Sequence, residues 1–456
     1  MDQKVSPDTL RQKLDESLHF SVGQLTPRDI ELPAVPGKVI AVIGVRRGGK
    51  TSYLRDLARQ AVSRGEPKQS QLHLNLEDER LFGMTVADLA WLVDEHGRKY
   101  PAMLEHGARA IYFDEVHLVP DWATYMRRLV DAGVRNLFVS GSSAKLLSRE
   151  VATSLRGRGL EVLVHPFSFR EALRHDHTEP NVLWAALSPV ERTVLDAALA
   201  RYVTTGGFPE AQRLHERDRL RLLASYVDSM LLRDVIDRHA VSNPVALKWL
   251  QNALLSAPGG KFTITKFRDA LKSQGVPVAK ETLEAYLAHL DDAFLVRTIS
   301  MHSSSERQRM VNARKAYPVD PGLIALYARA GRTYRGASLE TVVLLELERR
   351  GYTTTWVKVG EDSNSWEVDF LAEQVGQPRL LIQVCLDAEA DDTWERDVRA
   401  LSAAAGRFTD AVPLLLTAVS TPPRRALPAP LVWQPAAAWL LGARSQPATE
   451  RAAGRA

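Results

Sequence analysis

The sequence predicts an α/β protein made of a parallel-sheet domain, a helical and winged-helix region, and a second α/β domain. Three observations carry this prediction. An apolar run meets a glycine-rich turn and then a helix in "VIAVIGVRRGGKTSYL", residues 39–54. Four more strand-like runs follow at intervals that leave room for amphipathic helices, the pattern of strand and helix units around a parallel sheet. Beyond residue 320, a helix and a fresh set of strand-like runs begin a different pattern.

A chain of 456 residues has room for two to four domains. Its 59 Lys and Arg against 55 acids leave a net charge of only +4, too little to argue nucleic-acid binding from the total. Cys385 stands alone and forms no intramolecular disulfide, so a reducing compartment is expected. The polar start MDQKVSPDTLRQKLDES lacks the apolar core of a signal peptide, and no apolar run reaches the ~18 residues of a membrane span. A soluble cytoplasmic protein is the expectation.

Helical spacing in DTLRQKLDESLHF predicts an N-terminal helical segment within 1–34. The phosphate-binding domain is expected over 35–185, with strands at "LHLNLE", "RAIYFDEV", "RNLFVSGSS" and "LEVLVHPF". Residues 186–240 read as helices broken by the turn "GGFPE", a helical lid region. Three helix-like pieces and two strands with a polar tip outline a winged helix over 241–318. An α/β domain over 319–441 and a small, polar, disordered tail over 442–456 complete the chain.

Gly44-Val45-Arg46-Arg47-Gly48-Gly49-Lys50-Thr51 matches G-x-x-x-x-G-K-[ST], after a strand and before a helix as that motif requires. Its glycines let successive N–H groups turn inward at a phosphate, and the helix N-terminus adds partial positive charge. Gly44, Arg47, Gly48, Gly49, Lys50, Thr51 and Ser52 are the candidate nucleotide-binding residues, with Lys50 on the β and γ oxygens and Thr51 on Mg²⁺. "IYFDEVH" ends a strand in two carboxylates: Asp114 would hold Mg²⁺ through water, and Glu115 would polarise the attacking water. Ser142 is the candidate γ-phosphate sensor. Arg156 and Arg158, in "SLRGRG", could reach a neighbouring subunit's nucleotide as arginine fingers.

Together, "GVRRGGKTSYL", "IYFDEVHLVPDWATYMRRL", "SGSSAKLLSREVATSLRGRGLEVLVHPFSFREAL", "GGFPEA", "KAYPVDPGL" and "WEVDFLAE" resemble the bacterial and archaeal AAA+ ATPases that pair a P-loop core with a C-terminal domain of unknown function. The resemblance implies ATP and Mg²⁺ as cofactors and an α/β fold in this order: a P-loop AAA+ core with a parallel sheet, a helical and winged-helix region, and a restriction-endonuclease-like α/β domain. Its nuclease positions would fall on Glu340, Asp369 and Gln383-Val384-Cys385, where the usual lysine is missing. With Gln383 for an acid and Cys385 for a lysine, the expectation is a nuclease fold without nuclease activity, although Glu367 and Glu373 lie nearby.

The hairpin RTISMHSSSERQRMVNARK sets Arg297, Arg307, Arg309, Arg314 and Lys315 against Glu306, and Lys261, Lys266, Arg268, Lys272 and Lys280 precede it. A basic wing predicts contact with DNA phosphates, while Glu281, Glu284, Asp291 and Asp292 on the recognition helix disfavour base reading. The leading expectation is an ATP-driven motor assembled as a homo-oligomeric ring on DNA, acting in branch migration or unwinding. The rivals are a nucleotide-dependent switch or scaffold in defence or toxin control, and an ATP-gated nuclease.

Overall fold

The computed structural model describes residues 5–18, 25–105, 109–141, 155, 157–305, 307–308, 312–328, 334–360 and 365–442. The chain divides into two compact units, Met1–Val164 and His165–Ala456.

The first unit holds one parallel sheet of five strands, β1 (Lys38–Ile43), β2 (Gln71–Asn75), β3 (Ala110–Asp114), β4 (Asn136–Ser140) and β5 (Gly159–Leu163). Their order is β2-β3-β4-β1-β5, so β4 separates the strand before the glycine-rich turn from the strand that ends in the two acids. Strands covered on both faces must be apolar along their length, and "VIAVI" of β1 and "AIYF" of β3 are. The helix Lys50–Ser63 buries Tyr53, Leu54, Ala58 and Ala61 against this sheet. Thr85 and Asp88 form a capping box that starts the helix Val86–Lys99. The N-terminal helix Pro7–Leu18 packs on β2 and is tied to the same unit by Lys13–Asp78 and Arg80–Glu16 ion pairs, both at 2.8 Å.

The first compact unit ends at Val164, and the segment "PFSFREAL" that follows packs with helices and turns of the second unit. Phe167 donates its N–H to the Gly207 carbonyl (2.7 Å), and its own carbonyl accepts from the Tyr202 hydroxyl (2.6 Å). The buried carboxylate of Asp320 in turn accepts from the N–H groups of Gly207 (2.6 Å) and Gly322 (2.8 Å). "PFSF", "GGFPE" and "VDPG", far apart in sequence, are therefore one hydrogen-bonded knot. A Cβ on Gly207 would stand 2.1 Å from the Phe167 carbonyl oxygen, and Gly206 has a left-handed φ of 75°.

The rest of the second unit is built on two sheets. Helices Pro244–Leu255, Ile264–Ser273 and Lys280–Asp292 accompany β6 (Lys261–Phe262), β7 (Val296–Ser300) and β8 (Arg314–Pro318), an antiparallel sheet of order β6-β8-β7. Arg309, at the hairpin tip, lies outside the described residues, as does the tail from 443. The last sheet runs β13-β12-β11-β10-β9, from β9 (Thr353–Val359), β10 (Trp366–Glu373), β11 (Arg379–Cys385), β12 (Ala411–Thr417) and β13 (Val432–Pro435). β9, β10 and β11 pair antiparallel, and β11, β12 and β13 parallel. Helix Arg335–Arg349 covers one face and helix Asp391–Arg407 the other.

A register shift in β10 lies between Val368 and Leu371, which share the Asp391–Arg407 face although three positions apart. Phe370 consequently packs on the opposite face, with Tyr317 and the Arg335–Arg349 helix. The hairpin sheet adjoins this one, since Met301 bridges to Trp356 and the His302 N–H donates to the Trp356 carbonyl at 2.8 Å.

Replacing Asp320 by Ala should orphan two buried N–H groups at about 1–3 kcal/mol each, and Gly207→Ala should displace the Phe167 backbone. Both variants should unfold at lower urea concentration than the parent chain; unchanged midpoints would show that the knot adds no stability.

Candidate functional site

The glycine-rich turn leaves the C-terminal end of β1. Arg47 (φ 64°) and Gly49 (φ 104°) are left-handed, and Gly48 between them is not. This alternation of hand turns successive N–H groups toward one concavity, a nest suited to an anion. Space there is tight: a Cβ on Gly44 would stand 2.1 Å from the Val164 carbonyl oxygen, and one on Gly48 2.9 Å from a Val45 methyl carbon. Lys50 is only 5% exposed, and its Nζ donates to the carbonyls of Gly44 and Val45, each at 3.1 Å. Thr51 and Ser52 follow on the first helical turn.

Across the sheet, Ser140 at the end of β4 joins the two acids at the end of β3. Its Oγ donates to Asp114 Oδ1 and accepts the Glu115 N–H at 3.0 Å. Glu115 takes a left-handed φ of 55°, a conformation that a non-glycine residue keeps only where its surroundings impose it. Burial, with Asp114 alongside, pushes its carboxyl above the usual range, while Lys50 and Arg46 oppose that shift. His117 Nδ1 lies 3.4 Å from Glu115 Oε2, and Arg46 pairs with Glu77 at 3.3 Å. Main-chain N–H groups, one ammonium, one hydroxyl and two carboxylates thus stand at one end of one sheet. Among the described residues no three His, Cys, Asp or Glu side chains form a ready-made metal cage. A Mg²⁺ ion placed by Thr51 and Asp114 would complete its shell with nucleotide oxygens and water, as this cation commonly does.

Sequence reasoning chose Ser142, which lies outside the described residues together with Arg156. It passed over Ser140, two positions earlier in the same "FVSGSS", whose alternation along β4 was the available signal. Arg158 precedes β5, accepts the Val39 N–H on its carbonyl (2.8 Å), and pairs its side chain with Asp131. Val39 lies near the start of β1, so Arg158 stands at the opposite end of the strands from its own glycine-rich turn.

The second unit corrects two readings of the sequence. Arg297 and Lys315 are not on an open basic face. Arg297 bonds Glu348 at 2.9 Å and Asp291 at 3.0 Å. Lys315 is 4% exposed, with its Nζ 3.4 Å from Asp369 and 3.7 Å from Glu367. Strand alternation turns these two inward, while Arg307 is exposed and Arg314 half-buried. Lys315, carried by β8, thus stands beside Asp369 of β10.

Around Lys315, Asp369 accepts the Val384 N–H at 3.0 Å and donates its own N–H to Gln383 Oε1 at 3.4 Å. The Tyr317 hydroxyl donates to Glu340 at 3.1 Å, and burial together with Asp369 raises the Glu340 carboxyl to about 8. Lys261 pairs with Glu367, and both ammonium groups lie over the Trp356 ring, at 5.5 and 5.8 Å from its centroid. Glu373 pairs with Arg379 at 2.6 Å instead. Cys385 is fully buried, and burial pushes its thiol up to about 12, so it behaves as a small apolar group.

Residues 36–173 match the family model of an AAA domain, and residues 196–333 that of a domain of unknown function, DUF8612. The uncharacterized protein MJ1544 of Methanocaldococcus jannaschii is 31% identical over 374 residues, 82% of this chain and 80% of that protein. The chain belongs to its family. An uncharacterized protein of Haemophilus influenzae is 30% identical over 364 residues, covering 79% of this chain and 84% of that one. The Walker-type ATPase PABY2304 of Pyrococcus abyssi is similar at 16% identity, over 71% of this chain and 95% of that chain, with a TM-score of 0.39. This family member thus carries an AAA-type ATPase domain followed by helices and further sheets. No helix among its described residues is long and apolar enough to cross a membrane.

Lys315→Ala should leave Asp369 without its buried cation, Glu367 keeping Lys261, and destabilise the chain by about 3–5 kcal/mol. Adding Asp369→Asn to that variant should recover part of the loss. A urea-unfolding cycle on the full chain checks both, and additive effects would show that the two residues are not coupled.

Proposed function

We propose that this chain is an ATP hydrolase. Lys50 and the N–H groups of the turn would hold the β and γ oxygens, and Thr51 and Asp114 would place Mg²⁺. That ion supplies charge neutralisation to the phosphates when bound. Glu115 would orient a water and accept its proton, and its raised carboxyl suits a base. The observation that carries this reading is Ser140, whose hydroxyl joins Asp114 to the Glu115 backbone and so aims both acids from one strand end. ATP rather than GTP follows from the family resemblance. Ser142 keeps its proposed place as γ-phosphate sensor, with Arg156 a second candidate finger. Arg158, at the opposite end of the strands from its own turn, remains the first candidate finger for a neighbouring subunit's nucleotide in the proposed homo-oligomeric ring.

The partner assigned to this motor is DNA, held through its backbone and remodelled by branch migration or unwinding. The helix and strand order of residues 244–318, with its β6-β8-β7 sheet, supports a winged helix, and Lys266, Lys272 and Arg307 are exposed on it. A second reading, a nucleotide-dependent switch that docks a protein, draws support from the internal pairing of Arg297 and Lys315 and from exposed Glu281 and Glu284. The last sheet is assigned a nuclease-like fold without nuclease activity, because Gln383 brings no negative charge and Cys385 no cation to the strand beside Asp369.

Lys50→Ala should lose nucleotide binding, and Glu115→Gln should bind ATP but turn it over at least ~10²-fold more slowly. Forked or four-way DNA should raise the parent rate in a salt-sensitive manner. A rate indifferent to DNA, with a nucleotide-dependent change of size, would favour the switch; no nucleotide binding by the parent chain would overturn the whole reading.

A further inference from the structure

Residues 25–37 lead into β1, and Ile30 and Leu32 pack on the core formed by Tyr53, Leu54 and Ala58. That anchorage lays the segment beside the helix Lys50–Ser63 and brings Arg28 to the turn in front of it. Arg28 Nη1 donates to the Gly48 carbonyl at 3.2 Å. Arg28 is half-buried and lies outside the glycine-rich motif.

We infer that Arg28 is a positioning residue for the β-phosphate of the nucleotide, acting through the Gly48–Gly49 peptide; the inference rests on the ATPase reading above. A trans peptide is planar, so its C=O and the following N–H point in opposite directions. Holding the Gly48 carbonyl outward holds the Gly49 N–H inward. Glycine resists rotation of that peptide less than any other residue does, and here glycine stands on both sides of it. Gly49, at φ 104°, is also the N-cap of the helix, so its N–H is aimed where the helix field is strongest. The guanidinium supplies from outside the turn the rigidity that two glycines cannot. It requires no contact with the nucleotide.

The test is calorimetric titration of the full chain with MgATP and with MgADP. Arg28→Ala should weaken both by the same factor, about tenfold to a hundredfold, the usual worth of a hydrogen bond to a charged group. Arg28→Lys should recover part of that loss. Unchanged affinity in Arg28→Ala, beside lost binding in Lys50→Ala, would overturn the role of Arg28 and leave the ATPase reading standing. A loss for ATP alone would also overturn it, because the γ-phosphate would then be the group sensed. A parent chain that binds neither nucleotide would overturn both.

Discussion

Lys50 keeps its ammonium out of water, and a desolvated charge must be surrounded by oxygen or the structure around it fails. In the first unit that oxygen comes from main-chain carbonyls of the very turn that precedes it. The turn can present those carbonyls to Lys50 and its N–H groups to an anion only by alternating its backbone hand, so glycines are required where the chain also passes close to Val164 and Val45. The placement of β4 between β1 and β3 then lets Ser140 join both acids facing the same edge of the sheet.

The same constraint organises the second unit. Asp320 draws two glycine N–H groups onto one carboxylate and thereby knots three distant segments together. Arg297 and Lys315, drawn inward by strand alternation, each collect two acids. Charge counted along a hairpin overstates what reaches the surface, because a buried guanidinium or ammonium is matched locally and contributes little to the outside field.

The parallel sheet, the glycine-rich turn, the acid pair and the three-helix stretch with its hairpin were all legible, since each is written in residues close in sequence. Strand alternation and glycine spacing are local signals, and burial on both faces of a parallel strand leaves an apolar run that any reading would find. Arg28 and Lys315 were not legible in the contacts they make. Arg28 meets the turn only because Ile30 and Leu32 pack where they do, and Lys315 meets Asp369 only because β8 and β10 belong to adjoining sheets. The position of Phe370 depends equally on a register shift that alternation along β10 does not foretell.

By itself the sequence determined the chemistry available at each strand end: which residues could curl around phosphate, which could hold a cation, and which stretches had to be buried. Tertiary structure alone decided which charges face one another. Pairing of buried charges depends on distances of a few ångströms between elements distant in the chain, and those distances are set by packing and register.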